Sequence, residues 1–294
     1  MQRVRFLRLP AVAISLTLLL FYTEASVAVS AMEEGEARDP AGIVFEEHLV
    51  PAGSRVDGTR QPETEGCAPL STGADSLPKV AIIIDDMGHH RRLGSALIDL
   101  DLNLTFSFLP HAPLTAEHAE IAWNKGRDVL VHMPMEPGNR DLDPGPGALF
   151  LSDPDEVIAS NVRANIAAVP HAIGINNHMG SRFTADRRAM RAVLSVLREK
   201  HLFFVDSVTT PGTVGEEEAR NMGIPARSRI VFLDNVQDSD DICRRLKQLV
   251  AHATRYGSGV GIGHPNRATL EGLTRCREML RTQVRLVGVR ELVR

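Results

Sequence analysis

The chain predicts an α/β fold of barrel type, with parallel strands joined by crossover helices in one domain. Three observations predict it. From residue 79 onward, short apolar runs alternate with amphipathic stretches of helical period, the pattern of parallel strands and crossover helices. Most of the runs are continuous and rich in Val, Ile and Phe, as strands covered on both faces require. Carboxylates, amides and imidazoles follow one run after another, and a parallel barrel gathers the C-terminal ends of its strands on one face.

The segments before residue 79 stand outside this domain. Arg3, Arg5 and Arg8 precede an apolar run from Ala11 to Tyr22 and a small-residue stretch at Val29, Ser30 and Ala31, the layout of a secretory signal peptide over residues 1–31. The apolar run is shorter than the roughly 20 residues a spanning helix needs. No permanent membrane span is therefore expected, and the mature protein is expected to be periplasmic or secreted. Residues 32–78 carry ten acidic side chains against three arginines, with scattered Pro and Gly, which predicts a flexible acidic linker. The domain then covers residues 79–294.

Across 294 residues, 33 basic and 37 acidic side chains leave a net charge of −4, without the basic excess that nucleic-acid binding demands. Cys243 and Cys276 lie on successive helical stretches and could bridge in an oxidising compartment, leaving Cys67 in the linker.

The strands are expected at Val80–Ile84, Leu104–Phe108, Val129–Val131, Ala172–Ile175, Leu202–Val205, Ile230–Leu233, Val260–Ile262 and Val284–Val287. Helices are expected between them, among them Ala185–Lys200, with Thr184 as N-cap, and Asp240–Arg255. Asp85 and Asp86 follow the first strand, His132 the third, Asn176, Asn177 and His178 the fourth, Asp206 the fifth, Asp234 the sixth and His264 the seventh. An aspartate after a strand is also a common helix cap, and that alternative applies to Asp206 and Asp234. It applies less to Asp85 and Asp86, because adjacent carboxylates at the end of a buried strand repel unless a cation or proton intervenes.

One carboxylate with two imidazoles suits zinc or another divalent first-row metal with open coordination positions. A second carboxylate could take a proton and a further histidine could donate one. Asp85 or Asp86, His132, His178 and His264 supply this inventory, which points to metal-assisted hydrolysis of an amide or ester. Gly259, Gly261 and Gly263 lead into His264-Pro265 instead of a helix start, which argues against a dinucleotide site. There is no GxSxG nucleophile elbow.

Five ordered motifs carry a family resemblance: Ile82-Ile83-Ile84-Asp85-Asp86-Met87-Gly88, His132-Met133-Pro134-Met135-Glu136-Pro137, Gly174-Ile175-Asn176-Asn177-His178-Met179-Gly180-Ser181, Phe204-Val205-Asp206-Ser207 and Ile262-Gly263-His264-Pro265. Together they resemble the divergent polysaccharide deacetylases, the YibQ-like branch of the NodB-homology superfamily. The resemblance implies a distorted (β/α) barrel of NodB type and a metal-dependent deacetylase ancestry. By position, Asp85 resembles the family's catalytic base, Asp86 its metal-binding carboxylate, His132 the first histidine of its HxxxH pair, and His264 the histidine that protonates the leaving group.

The second histidine of that pair is Glu136 here, so Glu136 or His178 takes its place, and His178 is favoured. The superfamily's arginine-proline loop after the fourth strand is replaced by Asn176 to Ser181. Asn176, Asn177, Ser181, Asp206 and Glu136 are the candidates for substrate contacts, with Asn176 or Asn177 as an oxyanion donor or a cap on the strand end. The expected function is a zinc-dependent or other metal-dependent hydrolase that removes acetyl groups from a carbohydrate of the cell envelope. The rival expectation is a non-catalytic envelope protein that uses the same pocket to bind a glycan or a peptidoglycan-processing protein.

Overall fold

The structure is a computed structural model that describes residues 77–293. The expected signal peptide, and the expected linker up to residue 76, lie outside those residues. Among the described residues the strands are β1 (Lys79–Met87), β2 (Thr105–Phe108), β3 (Asp128–Met135), β4 (Gly174–Met179), β5 (Phe203–Asp206), β6 (Ala226–Ser228), β7 (Val231–Phe232), β8 (Ser258–Gly263) and β9 (Arg285–Leu286). The helices are α1 (Arg91–Asp99), α2 (Thr115–Asn124), α3 (Asp155–Ala168), α4 (Arg187–Lys200), α5 (Gly215–Asn221), α6 (Ser239–Tyr256), α7 (Arg267–Arg275) and α8 (Arg277–Gln283).

The strands form one sheet in the order β6-β5-β4-β3-β2-β1-β8-β7, with β9 beside β1. Each recorded pairing is parallel. Parallel neighbours need crossovers, and α1 to α4 each link one strand to the next.

Alternation along the strands divides the apolar residues between two layers, because successive side chains face opposite sides of a sheet. Ala81, Ile83, Leu130, Phe203, Val205, Val260 and Ile262 pack inside the curl of the sheet. Ile82, Ile84, Val129, Val131, Met133 and Phe204 pack outward, with buried residues of the helices such as Leu97, Val162, Val193 and Leu249.

The barrel is distorted, as expected. Both ends of the sheet fall on one run, Ala226 to Phe232: its first part pairs with β5 and its last part with β8. The edges are therefore only three and two residues long, which leaves little exposed strand for unwanted pairing.

The glycines of β8 have a packing role. A Cβ on Gly261 would approach Leu249 Cδ2 of α6 to 2.7 Å, and one on Gly259 would approach Leu249 Cδ1 to 3.0 Å.

Several expected boundaries are corrected. The strand expected at Ile230–Leu233 is the two-residue β7, and β6 just before it was not anticipated, because Ala226-Arg227-Ser228 lacks the apolar run of a buried strand. The last expected strand contracts to β9. Helix α4 is capped by Asp186, whose side chain accepts from the Ala189 amide. Thr184 instead lies in a short 3-10 turn and bonds back to the Gly180 carbonyl at 2.9 Å.

Candidate metal centre

Most of the polar residues expected after the strands are in fact part of them. His132 lies within β3, Asn176, Asn177 and His178 within β4, and Asp85 and Asp86 within β1. The β3–β4 register pairs His132 with Asn176 and Pro134 with His178, so the two histidines come from adjacent strands. The β1–β8 register ends at Ile84 opposite Gly263, which brings Asp85 beside His264.

Asp85 and Asp86 are consecutive, and a regular strand would point them to opposite faces. The β1–β2 register shifts between Ile84 and Met87, and Asp86 adopts φ 50°. A bulge with a left-handed residue re-aims the side chains, and aspartate tolerates that conformation better than most residues. Both carboxylates thereby reach one buried cluster.

Asp86 Oδ1 lies 2.9 Å from His178 Nδ1 and 3.1 Å from His132 Nε2, and those two nitrogens are 3.2 Å apart. All three residues are buried. Neighbouring donors on ligand bonds of about 2.0–2.1 Å stand roughly 3.3–3.4 Å apart in a tetrahedral shell and about 2.9 Å in an octahedral one. The observed triangle falls within that span. Neither Asp86 oxygen has a well-directed hydrogen-bond donor, and a buried carboxylate left so is costly unless a cation or proton compensates it. The donor set therefore fits a divalent cation, held by Asp86, His132 and His178.

Burial raises the Asp85 carboxyl above its ordinary range, even though His132, His264 and the Asn176 amide pull it down. Burial pushes Asp86 up as well, but the imidazoles of His178 and His132 hold it well below that range. The two neighbours are thus pushed apart, Asp86 toward the anion and Asp85 toward taking a proton. Burial opposes charge on the His132 ring, and Asp85 and Asp86 outweigh it and raise it.

His264, just beyond β8, is held by Asp234. One Asp234 oxygen accepts from the His264 backbone amide at 2.6 Å, and the other lies 2.9 Å from Nδ1. Thr269 Oγ1 and Asn266 Nδ2 also donate to Asp234, at 2.7 and 2.9 Å. The sequence left Asp234 open between a cap and a functional residue. Its contacts make it the group that orients the His264 ring.

The residues expected to contact substrate all have partners within the protein. Asn176 is fully buried and its amide is engaged by Ser107, His132, Asp85 and Ser207. Asn177 donates to the Met179 carbonyl at 2.8 Å and accepts from the Ser207 amide at 2.9 Å. Both amides are engaged within the protein. Asp206 falls on the helix side of β5 with Phe204, and accepts from Thr213 Oγ1, the Val208 amide and the Glu216 amide, so it caps the start of α5. Glu136 is bound by the Arg182 guanidinium and the Leu151 amide, apart from the metal-ligand cluster. Ser181 Oγ accepts from the Gly138 amide at 2.7 Å, which ties the exit of β4 to the loop after β3.

Ser107 and Ser207 were not among the expected site residues. Ser207 closes one of the quoted motifs, but no sequence signal marks Ser107, a small polar residue within an apolar strand.

Fold and site together define a class: a curled parallel α/β sheet with a buried carboxylate and imidazole cluster at its strand ends. The chain belongs to the divergent polysaccharide deacetylase family, whose model matches residues 82–293. It is 35% identical over 216 residues to an uncharacterised protein of Haemophilus influenzae, covering 74% of this chain and 77% of that one. It is 34% identical to the uncharacterised protein YibQ of Escherichia coli, covering 73% and 67% respectively. In structure it is similar to an uncharacterised protein of Agrobacterium tumefaciens, with a TM-score of 0.71 and 24% identity over 75% of this chain and 91% of that one.

Proposed function

We propose that this protein is a metal-dependent hydrolase that removes acetyl groups from a carbohydrate of the cell envelope. The observation that carries the proposal is the buried triangle of Asp86 Oδ1, His132 Nε2 and His178 Nδ1, with Asp85 beside it. When bound, a divalent cation such as zinc supplies Lewis acidity toward a carbonyl and makes water a better nucleophile.

The chain's own groups carry the protons. Asp85, whose carboxyl is raised by burial, accepts the proton from the attacking water. His264 donates one to the departing amine or alcohol from Nε2, because its Nδ1 faces the Asp234 carboxylate. Asp234 keeps that ring oriented. Membership of a polysaccharide deacetylase family supports a carbohydrate substrate. The basic, apolar and small-residue order of residues 1–31 supports export to the periplasm or beyond, and the disulfide between Cys243 and Cys276 suits an oxidising compartment.

The test is acetate release by the full chain from acetylated chitooligosaccharides and peptidoglycan fragments, with and without added zinc. Release that needs the metal and falls roughly 10²–10⁴-fold in Asp85→Asn is the expected result. Binding of these glycans without acetate release, unchanged in Asp85→Asn, would overturn it in favour of a non-catalytic glycan-binding protein.

A further inference from the structure

The centre of the hydrogen-bond network is neither a ligand nor a proton carrier. Asn176 Oδ1 accepts from Ser107 Oγ at 2.6 Å and lies 3.0 Å from His132 Nδ1. Asn176 Nδ2 donates to both oxygens of Asp85, at 2.8 and 2.9 Å, and to Ser207 Oγ at 3.2 Å. One side chain therefore touches both the imidazole that would hold a cation and the carboxylate that would take a proton.

We propose that Asn176 is a positioning residue that fixes which ring nitrogen of His132 carries hydrogen and, through the same amide, holds Asp85 in place. The argument is one of hydrogen-bond polarity. A carboxylate only accepts, so Asp85 turns the Asn176 amino group toward itself, and the amide oxygen must then face His132. That oxygen also only accepts, so His132 Nδ1 must bear the hydrogen. Nε2, 3.1 and 3.2 Å from Asp86 Oδ1 and His178 Nδ1, is then the nitrogen that gives up its proton and offers a lone pair when a cation binds. That is the form a metal-binding histidine needs, and partners of its other nitrogen typically tune metal affinity by about 10–100-fold. Turning the amide over would set oxygen against carboxylate, so Asp85 fixes the His132 tautomer through Asn176.

The consequence for chemistry rests on the function proposed above, but the tautomer does not, and the experiment separates the two. Ring-nitrogen NMR on the metal-free full chain reads His132 directly, and cobalt(II) titration reads cation affinity. Asn176→Asp keeps an oxygen acceptor for His132 and sets a second carboxyl against Asp85 in place of the amino group, whereas Asn176→Leu removes both contacts at similar size. His132 is expected to carry hydrogen on Nδ1 in the wild type and in Asn176→Asp, and to lose that preference in Asn176→Leu. Cobalt affinity is expected to fall roughly 10–100-fold in Asn176→Leu and to stay within about threefold of wild type in Asn176→Asp, while acetate release falls in both.

A His132 Nδ1 without hydrogen in the wild type overturns the proposal, and so does an equal loss of cobalt affinity in the two variants. A wild type that binds no cobalt but carries hydrogen on Nδ1 sinks the metal reading and leaves the role of Asn176 standing. Thermal unfolding of both variants identifies a folding defect in Asn176→Leu, and the retained affinity of Asn176→Asp then decides the matter.

Discussion

At the scale of single residues, the side of the strand on which a polar group falls decides its use. Asp206 and Asp234 look alike in sequence, each an aspartate at the end of a short apolar run. Asp206 shares its face with Phe204 and is absorbed in capping α5, while Asp234 follows the inward-facing Phe232 and holds His264. Burial opposes charge on Asp234, but His264 and the hydrogen bonds from His264 and Thr269 keep its carboxyl below the ordinary 3.8. A carboxyl depressed on folding stabilises the protein above its unfolded value, and the contribution is lost as pH falls through the folded value. Asp234→Asn should therefore make the loss of stability below about pH 4 less steep, measured as denaturant midpoint against pH. An unchanged acid slope would mean that the pair contributes nothing to folding. Asp85 and Asp86 were legible as a pair serving one site, but the bulge in β1 that turns both carboxylates into it was not.

At the scale of elements, the periodic stretches were the most legible. Helix α6 was expected at Asp240–Arg255 and spans Ser239–Tyr256, with Asp238 accepting from the amides of Asp240 and Asp241. Its apolar stripe and its capping aspartate are local signals. The short strands were less legible: β6 and β9 owe their pairing to β5 and β1, not to their own composition. The bridge between Cys243 of α6 and Cys276 after α7, with Cα atoms 5.9 Å apart, joins elements that already pack together. It closes a separation of 33 residues, and constraint of the unfolded chain at that loop length is worth about 3–4 kcal/mol. Cys243→Ser should lower unfolding free energy by about that amount in non-reducing conditions, read from chemical denaturation, and the same loss should follow reduction of the wild type. A wild type indifferent to reductant would refute it.

At the scale of the whole molecule, stability and cation binding are coupled. A ligand that binds only the folded state adds free energy by mass action, about 2.7 kcal/mol at a hundredfold excess over Kd. Zinc or cobalt should accordingly raise the Tm of the full chain by several degrees, and His178→Ala should abolish both the shift and the stoichiometric cation. An equal shift in the variant would remove His178 from the ligand set. Among the described residues no helix is long and apolar enough to cross a membrane.

The sequence by itself determined the alternating parallel architecture, the family, and the candidate donors Asp86, His132 and His178, because strand periodicity and residue chemistry are local properties. Only the tertiary structure decided that His178 and not Glu136 joins Asp86 and His132, that Asp234 serves His264, and that Asn176 is consumed in holding the site. Those outcomes depend on strand register, on one bulge and on which way each side chain faces across a curved sheet. Such relations arise between segments far apart in the chain, and no local pattern encodes them.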